Sequence, residues 1–169
     1  VLIQGLGGVG LATVQGARIA GASLVVASDP IAARREAAHA FGATHTIDPL
    51  AQDLGTEIMR LTANIGVDYA FETAGRAALI ESCLALTRSG GTTVCVGAPP
   101  LEENVTINNV VIFASTEKKL CGCLLGSCNS PRDIPRLVAL WRSGQLDLGS
   151  MVTSRRPLAE INEGFADLA

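Results

Sequence analysis

Short apolar runs alternate with stretches of helical spacing along almost the whole chain. Residues 1–4, 23–28, 44–47, 67–71 and 92–96 read as strands, the fourth through a Val-Tyr-Phe alternation and the fifth through β-branched residues. Between them, residues 9–20, 31–41, 50–63 and 76–87 read as helices. Gly42 stands where a left-handed C-cap is wanted, and Gly90-Gly91 reads as a turn. Further on, residues 105–107 read as a short strand, 110–115 as a helical turn and 120–125 as a sixth strand. A helix then opens with Ser130 as N-cap, Pro131 at its first position and Asp133 in its first turn. Its residues Ile134, Leu137, Val138 and Trp141 fall at i, i+3, i+4 and i+7, which predicts one buried face, and Gly144 ends it. The last unit runs from Met151-Val152 through Pro157 to a helix carrying Leu158, Ile161, Phe165 and Leu168.

Strands alternating with helices predict an α/β fold, a six-stranded parallel sheet with helices on both faces, because parallel neighbours need crossover connections and these are right-handed. Six such strands fit the doubly wound order 3-2-1-4-5-6, an order taken from fold rules and not displayed by the sequence. At 169 residues the chain has room for one domain: residues 1–148 read as that domain and 149–169 as a segment leaving it.

Composition narrows the classes. Hydrophobic residues are 48% and charged residues 17%, which is globular, and a net charge of −3 without a basic patch argues against nucleic acid. No apolar run reaches the roughly 18 residues of a membrane span. The chain opens inside a strand at Val1 without a Met, which reads as a fragment without an export signal. The five cysteines form no CxxC pair and have no nearby His. They read as buried or half-buried free thiols of a cytoplasmic protein, not as a metal site.

The first loop carries the chemistry. Gly5-Leu6-Gly7-Gly8-Val9-Gly10 is G-x-G-x-x-G directly between a strand and a helix. Gly5 permits the tight turn, Gly7 lets backbone approach a pyrophosphate, and Gly10 lets the helix pack against the sheet. The helix start, with about half a positive charge, favours phosphate. Asp29 ends the second strand nineteen positions after Gly10, where the fold brings a side chain to the adenosine ribose. A carboxylate there accepts both ribose hydroxyls and repels a 2′-phosphate, so NAD is favoured over NADP. Arg34 and Arg35 complicate that choice, because an Arg can serve a 2′-phosphate; a solvated helix face is the other reading for them.

Together, GLGGVG at 5–10, SDP at 28–30, FGATHTIDP at 41–49, GVDYAFETAGR at 66–76, VGAPP at 96–100, SPRDIPRLV at 130–138 and PLAEINEGFADL at 157–168 resemble the zinc-type alcohol dehydrogenases of the medium-chain dehydrogenase/reductase family. The resemblance spans the chain in order, and is nearest to the glutathione- and mycothiol-linked formaldehyde dehydrogenases. It implies that the chain is the cofactor-binding, C-terminal domain of such an enzyme. Gly7, Gly8 and Val9 then meet the pyrophosphate, Asp29 the ribose, and Arg34 the adenosine. Thr73, Ala74 and Arg76 lie beside the adenine, Val96, Gly97 and Ala98 form the loop after the fifth strand, and the backbone of Cys123 and Leu125 meets the nicotinamide amide. For the side chains of those last positions, sheet packing is the competing reading. Asp68 and Glu72 read as strand-end polar residues.

The family's catalytic zinc is held by Cys, His and a further Cys or acidic residue in a separate β-rich N-terminal domain, and a structural zinc by four cysteines there. Neither set occurs in these residues; His39 and His45, the only histidines, read as solvent-facing. The resemblance therefore implies hydride transfer between a small alcohol or aldehyde and NAD in the whole enzyme, no catalytic residue in this chain, and no activity from the chain alone. It also implies a homodimer or homotetramer, with residues 105–107 and 120–125 as contact candidates. A zinc-free enoyl or quinone reductase domain and a non-catalytic NAD-sensing module remain alternatives.

Overall fold

The computed structural model describes residues 1–167. Its elements are β1 (Leu2–Gln4), α1 (Gly8–Ile19), β2 (Val26–Ser28), α2 (Ala32–Phe41), β3 (His45–Ile47), α3 (Leu54–Leu61), β4 (Val67–Glu72), α4 (Ala77–Leu86), β5 (Thr87–Cys95), α5 (Val110–Ser115), β6 (Lys119–Gly122), α6 (Ser130–Arg142) and α7 (Ile161–Ala166). The strands form one sheet in the order β3-β2-β1-β4-β5-β6, and every pairing is parallel. This is the doubly wound, Rossmann-type architecture expected from the alternation of elements.

The central strand is apolar on both faces because helices cover both. Successive side chains of β1 point to opposite sides. Leu2 joins Val26, Ala70, Ile58 of α3, and Cys83 and Leu86 of α4 in one core. Ile3 joins Ala27, Val14 of α1, and Ala38 and Phe41 of α2 in the other. Burying each such aliphatic side chain contributes about 1.5–3 kcal/mol, which is why a three-residue strand can anchor the sheet.

Several local readings shift. The third helix starts at Leu54, later than expected, because Asp53 takes the N-cap, its carboxylate accepting the Thr56 N–H at 2.7 Å. Before it, Asp48 Oδ1 accepts the Leu50 N–H in a turn. Gly90 has φ of +71° as a turn requires, yet it lies inside β5, where the pairing with β4 jumps from Val67↔Thr87 to Tyr69↔Thr92. Residues 105–107 form no strand. The edge of β5 is already taken by β6, and Thr106 N–H bonds instead to Glu81 Oε1. The last strand stops at Gly122, and Leu125 belongs to a single 3-10 turn. The N-cap of α6 is Asn129, one residue before the expected Ser130, and Asp133 reaches back to the Asn129 N–H. Gly42 does adopt the left-handed C-cap, with φ of +114°.

The largest departure is the apolar stripe of α6. Ile134, Leu137, Val138 and Trp141 are 56, 50, 37 and 50% exposed, so the predicted buried face is open. The helical period is as read; no element among the described residues lies over it. Beyond α6 the chain returns to α1 through a pair of hydrogen bonds. Gln15 Nε2 donates to Asp147 O and the Asp147 N–H donates to Gln15 Oε1, with the Gln15 side chain fully buried. Leu168, expected on the last helix, lies outside the described residues.

The cysteines are free, with Cys83 buried but Cys121 and Cys128 exposed. The exposure of these two corrects the expectation of sheltered thiols throughout.

Two stability measurements check this packing. Ile58→Ala removes a fully buried side chain from the α3–α4 core and is expected to cost about 2–5 kcal/mol in a urea unfolding experiment. Burial pushes the Cys83 thiol up to about 12 from its ordinary 9.0. Above pH 9 the unfolded chain loses that proton while the folded chain keeps it, so the unfolded state binds fewer protons and stability falls as pH rises. Cys83→Ala is expected to make the decline between pH 9 and 11 shallower, by up to about 1.4 kcal/mol per pH unit.

Candidate functional site

The residues expected at a ligand site come together at the carboxyl edge of the sheet. The glycine turn leaves β1, Asp29 leaves β2, Thr73 to Arg76 leave β4, Val96 to Ala98 leave β5 and Cys123 leaves β6. Between β1 and β4 the strand order reverses direction, and a crevice opens where such a reversal occurs.

The glycine turn is tightly held. Gly5 has φ of +91°, and its N–H bonds to Ser28 O at 2.9 Å. Gly10 sits so close to the Gly5 carbonyl oxygen that a Cβ there would collide with it, and would also meet Thr73 Oγ1 at 3.0 Å. Gly7 and Gly8 differ: both are exposed, and a Cβ on either would meet nothing within 4 Å. Those two positions face open space.

The amino end of α1 is also left bare. Its N-cap Gly7 makes no side-chain cap bond, and no acidic residue stands in the first turn. By contrast Asp53 caps α3, Asn109 caps α5, and two carboxylates serve the start of α4. A helix start without such partners keeps its N–H groups and partial positive charge available to an anion.

Asp29 is 3% exposed and already engaged. Its Oδ2 accepts the Leu6 N–H at 2.8 Å and its Oδ1 accepts the Ile31 N–H at 2.8 Å. The carboxylate thus ties the glycine turn to the end of β2, a duty the sequence did not reveal. Each oxygen keeps a second lone pair. The two arginines separate in role. Arg34 Nη1 lies 3.6 Å from Asp29 Oδ2 with its side chain half exposed, whereas Arg35 pairs with Asp48 at 2.9 Å and donates to Asp29 O.

On the far side of the crevice, the Thr73 hydroxyl donates to Gly5 O at 2.7 Å. Ala74 and Arg76 are exposed, and Arg76 is the extended N-cap residue of α4. Val96 and Gly97 are half-buried, and Ala98 is exposed. The Cys123 N–H continues the ladder to Cys95 O, so its backbone donor is committed, while Leu125 is 85% exposed beyond β6. Burial and the nearby Glu72 carboxylate raise the Cys95 thiol above its ordinary value.

Other polar groups divide. Asp68 is an exposed strand residue paired with Arg88 at 2.6 Å, and that bond holds its carboxyl below the usual range. Glu72 is fully buried, which strand-end position alone did not indicate. His39 and His45 are exposed, on the last turn of α2 and the start of β3. Among the described residues no cluster of three or more His, Cys, Asp or Glu could hold a metal ion. A groove of about 740 Å³ lies at the opposite edge among Val1, Leu24, Val67, Asp68 and the Gly16–Ala20 side of α1, away from the glycine turn, Asp29 and the 73–76 and 96–98 loops.

Known proteins are similar to this chain in sequence and fold. Alcohol dehydrogenase B of Mycobacterium tuberculosis is 35% identical over 170 residues, covering 99% of this chain and 45% of the relative. The crystal structure of benzyl alcohol dehydrogenase from Acinetobacter calcoaceticus superposes with a TM-score of 0.93 at 30% identity, over 99% of this chain and 45% of that one. A zinc-binding-dehydrogenase-like protein of Sinorhizobium meliloti, solved bound to NADP, gives a TM-score of 0.81 at 33% identity, over 90% of this chain and 44% of that one. The chain spans a little under half the length of the relatives it matches. Residues 8–143 match the family described as zinc-binding dehydrogenase, and with the glycine turn, sheet order and crevice as found, the chain belongs to that family.

Proposed function

We propose that this chain holds NAD, as the cofactor-bearing part of an alcohol dehydrogenase that passes hydride between a small alcohol or aldehyde and the nicotinamide. The observation that carries the reading is the bare amino end of α1, fronted by two exposed glycines at the point where the strand order reverses. A pyrophosphate laid there takes the unpaired N–H groups and the helix's partial charge, each charge contact being worth about 0.3–1 kcal/mol or more when partly buried.

Asp29 directs the adenosine. Its two remaining lone pairs suit the ribose hydroxyls, and its charge opposes a 2′-phosphate. Thr73, Ala74 and Arg76 border the adenosine side, while Val96, Gly97, Ala98, Cys123 and Leu125 border the nicotinamide side. The Cys123 carbonyl and the exposed backbone near Leu125 suit an amide better than the committed Cys123 N–H does. NADP is the second reading. It is favoured by Arg34, half exposed beside Asp29, and by the NADP-bound neighbour.

In this reading residues 1–148 form the cofactor domain and 149–169 lead back toward the remainder of a longer enzyme. Zinc, when bound in such an enzyme, polarises the substrate oxygen as a Lewis acid. The described residues offer no ligand set for it, so its ligands belong to that remainder. This chain's own contribution is positioning: a fixed dinucleotide presents one nicotinamide face to the substrate, an effect able to supply several kcal/mol of barrier reduction. The open edge of β6 suits self-association as a homodimer or homotetramer. Five free thiols suit a cytoplasmic setting, and no helix among the described residues is long and apolar enough to cross a membrane.

Calorimetric titration tests the reading. The chain is expected to bind NADH more tightly than NADPH, by about tenfold, the cost of one repulsive charge contact of about 1.4 kcal/mol. Asp29→Ala is expected to weaken NADH and to erase most of that preference. Tighter NADPH binding would select the second reading; no heat with either would reject both.

A further inference from the structure

Glu72 is the one described residue whose buried side chain keeps an oxygen without a hydrogen-bond partner. It is fully buried, at the last position of β4. Its Oε1 accepts the N–H groups of Ala74 and Gly75 at 2.8 Å each, and of Arg76 at 3.4 Å. Oε2 has no donor and is packed against Gly97, where a Cβ would lie 2.7 Å from it. Leaving a buried carboxylate oxygen unsatisfied is costly, so the position demands an account beyond strand packing.

The account lies in what the loop at 73–76 touches. On one side it presses on the glycine turn: a Cβ on Gly5 would meet Ala74 Cβ at 2.9 Å, and one on Gly10 would meet Thr73 Oγ1 at 3.0 Å. Thr73 also bonds to the carbonyls of Gln4 and Gly5. On the other side it presses on the loop after β5: the Val96 and Gly97 N–H groups bond to Glu72 O, and a Cβ on Gly75 would meet Ala98 O at 2.8 Å. One carboxylate therefore fixes the loop that spaces the two banks of the crevice.

We propose that Glu72 is a positioning residue for the dinucleotide: it touches no ligand, but by gathering the N–H groups of residues 74–76 it sets the glycine turn and the 96–98 loop at the separation the cofactor needs. The same geometry admits only glycine at 97, because a methyl group there would press on Oε2 and the Gly75 backbone. The proposal rests on the cofactor reading above, and its test separates the two.

Wild type, Glu72→Gln and Glu72→Ala are titrated with NADH at a temperature where circular dichroism shows all folded, and their melting temperatures are recorded. Glutamine keeps an acceptor for the three N–H groups without the charge; alanine removes it. The expected result is a loss of affinity of at least about tenfold in Glu72→Ala, as expected for losing hydrogen bonds to a charged group, with Glu72→Gln between. Affinities within twofold of one another overturn the proposal even if melting temperatures fall, because a purely structural role moves only the latter. If Glu72→Ala does not fold, Glu72→Gln against wild type decides by the same criterion. If wild type binds no NADH, the cofactor reading fails, and amide NMR judges the positioning alone. Shifts in Glu72→Gln that reach residues 5–10 and 96–98 support it, and shifts confined to residues 72–76 overturn it.

Discussion

Where α1 departs from β1, its backbone at Gly10 lies against the Gly5 carbonyl oxygen with no room for a methyl group. That approach sets the rest of the molecule. It draws the first helix onto the sheet, so Val14 can join Ile3 and Ala27 in the core beneath α1 and α2. It also aims the start of the helix into the crevice at the carboxyl edge, with its first N–H groups facing outward.

The site is built from backbone more than from side chains. Asp29 holds the Leu6 N–H, Thr73 holds the Gly5 carbonyl, and Glu72 holds the loop that Thr73 begins. Three side chains at the ends of two strands thereby fix a turn whose own glycines contribute no side-chain contact. Carboxylates serve the N–H groups at the start of α4 and a carboxylate caps α3, while none serves α1. The start of α2 likewise has no side-chain cap, so what sets α1 apart is the pair of exposed glycines before it at the point where the strand order reverses. The groove at the other edge of the sheet contains none of this chemistry.

The second half of the chain is held differently. After β6 the chain leaves the sheet, and the segment that follows α6 is tied to α1, where Gln15 and Asp147 exchange two hydrogen bonds. Its apolar stripe faces outward, in keeping with a chain that covers a little under half of its relatives' length.

The sequence by itself determined the alternation of strands and helices and the glycine turn with its acid at the end of β2, while the strand order came from fold rules that the structure bears out. These depend on local pattern: period two against period 3.6, glycine where side chains cannot fit, and the handedness of crossovers. Only the tertiary structure decided that Asp29 ties down Leu6, that Glu72 is buried beneath the crevice, and that Gln15 anchors the return of the chain. Asp29 and Gln15 act through contacts with backbone on another segment, and Glu72 is buried by elements remote from it in the chain; nothing at those positions in the sequence encodes the meeting. The stripe on α6 shows the same boundary from the other direction. Periodicity reveals that a helix has an apolar face, but whether that face is covered depends on what else is folded beside it.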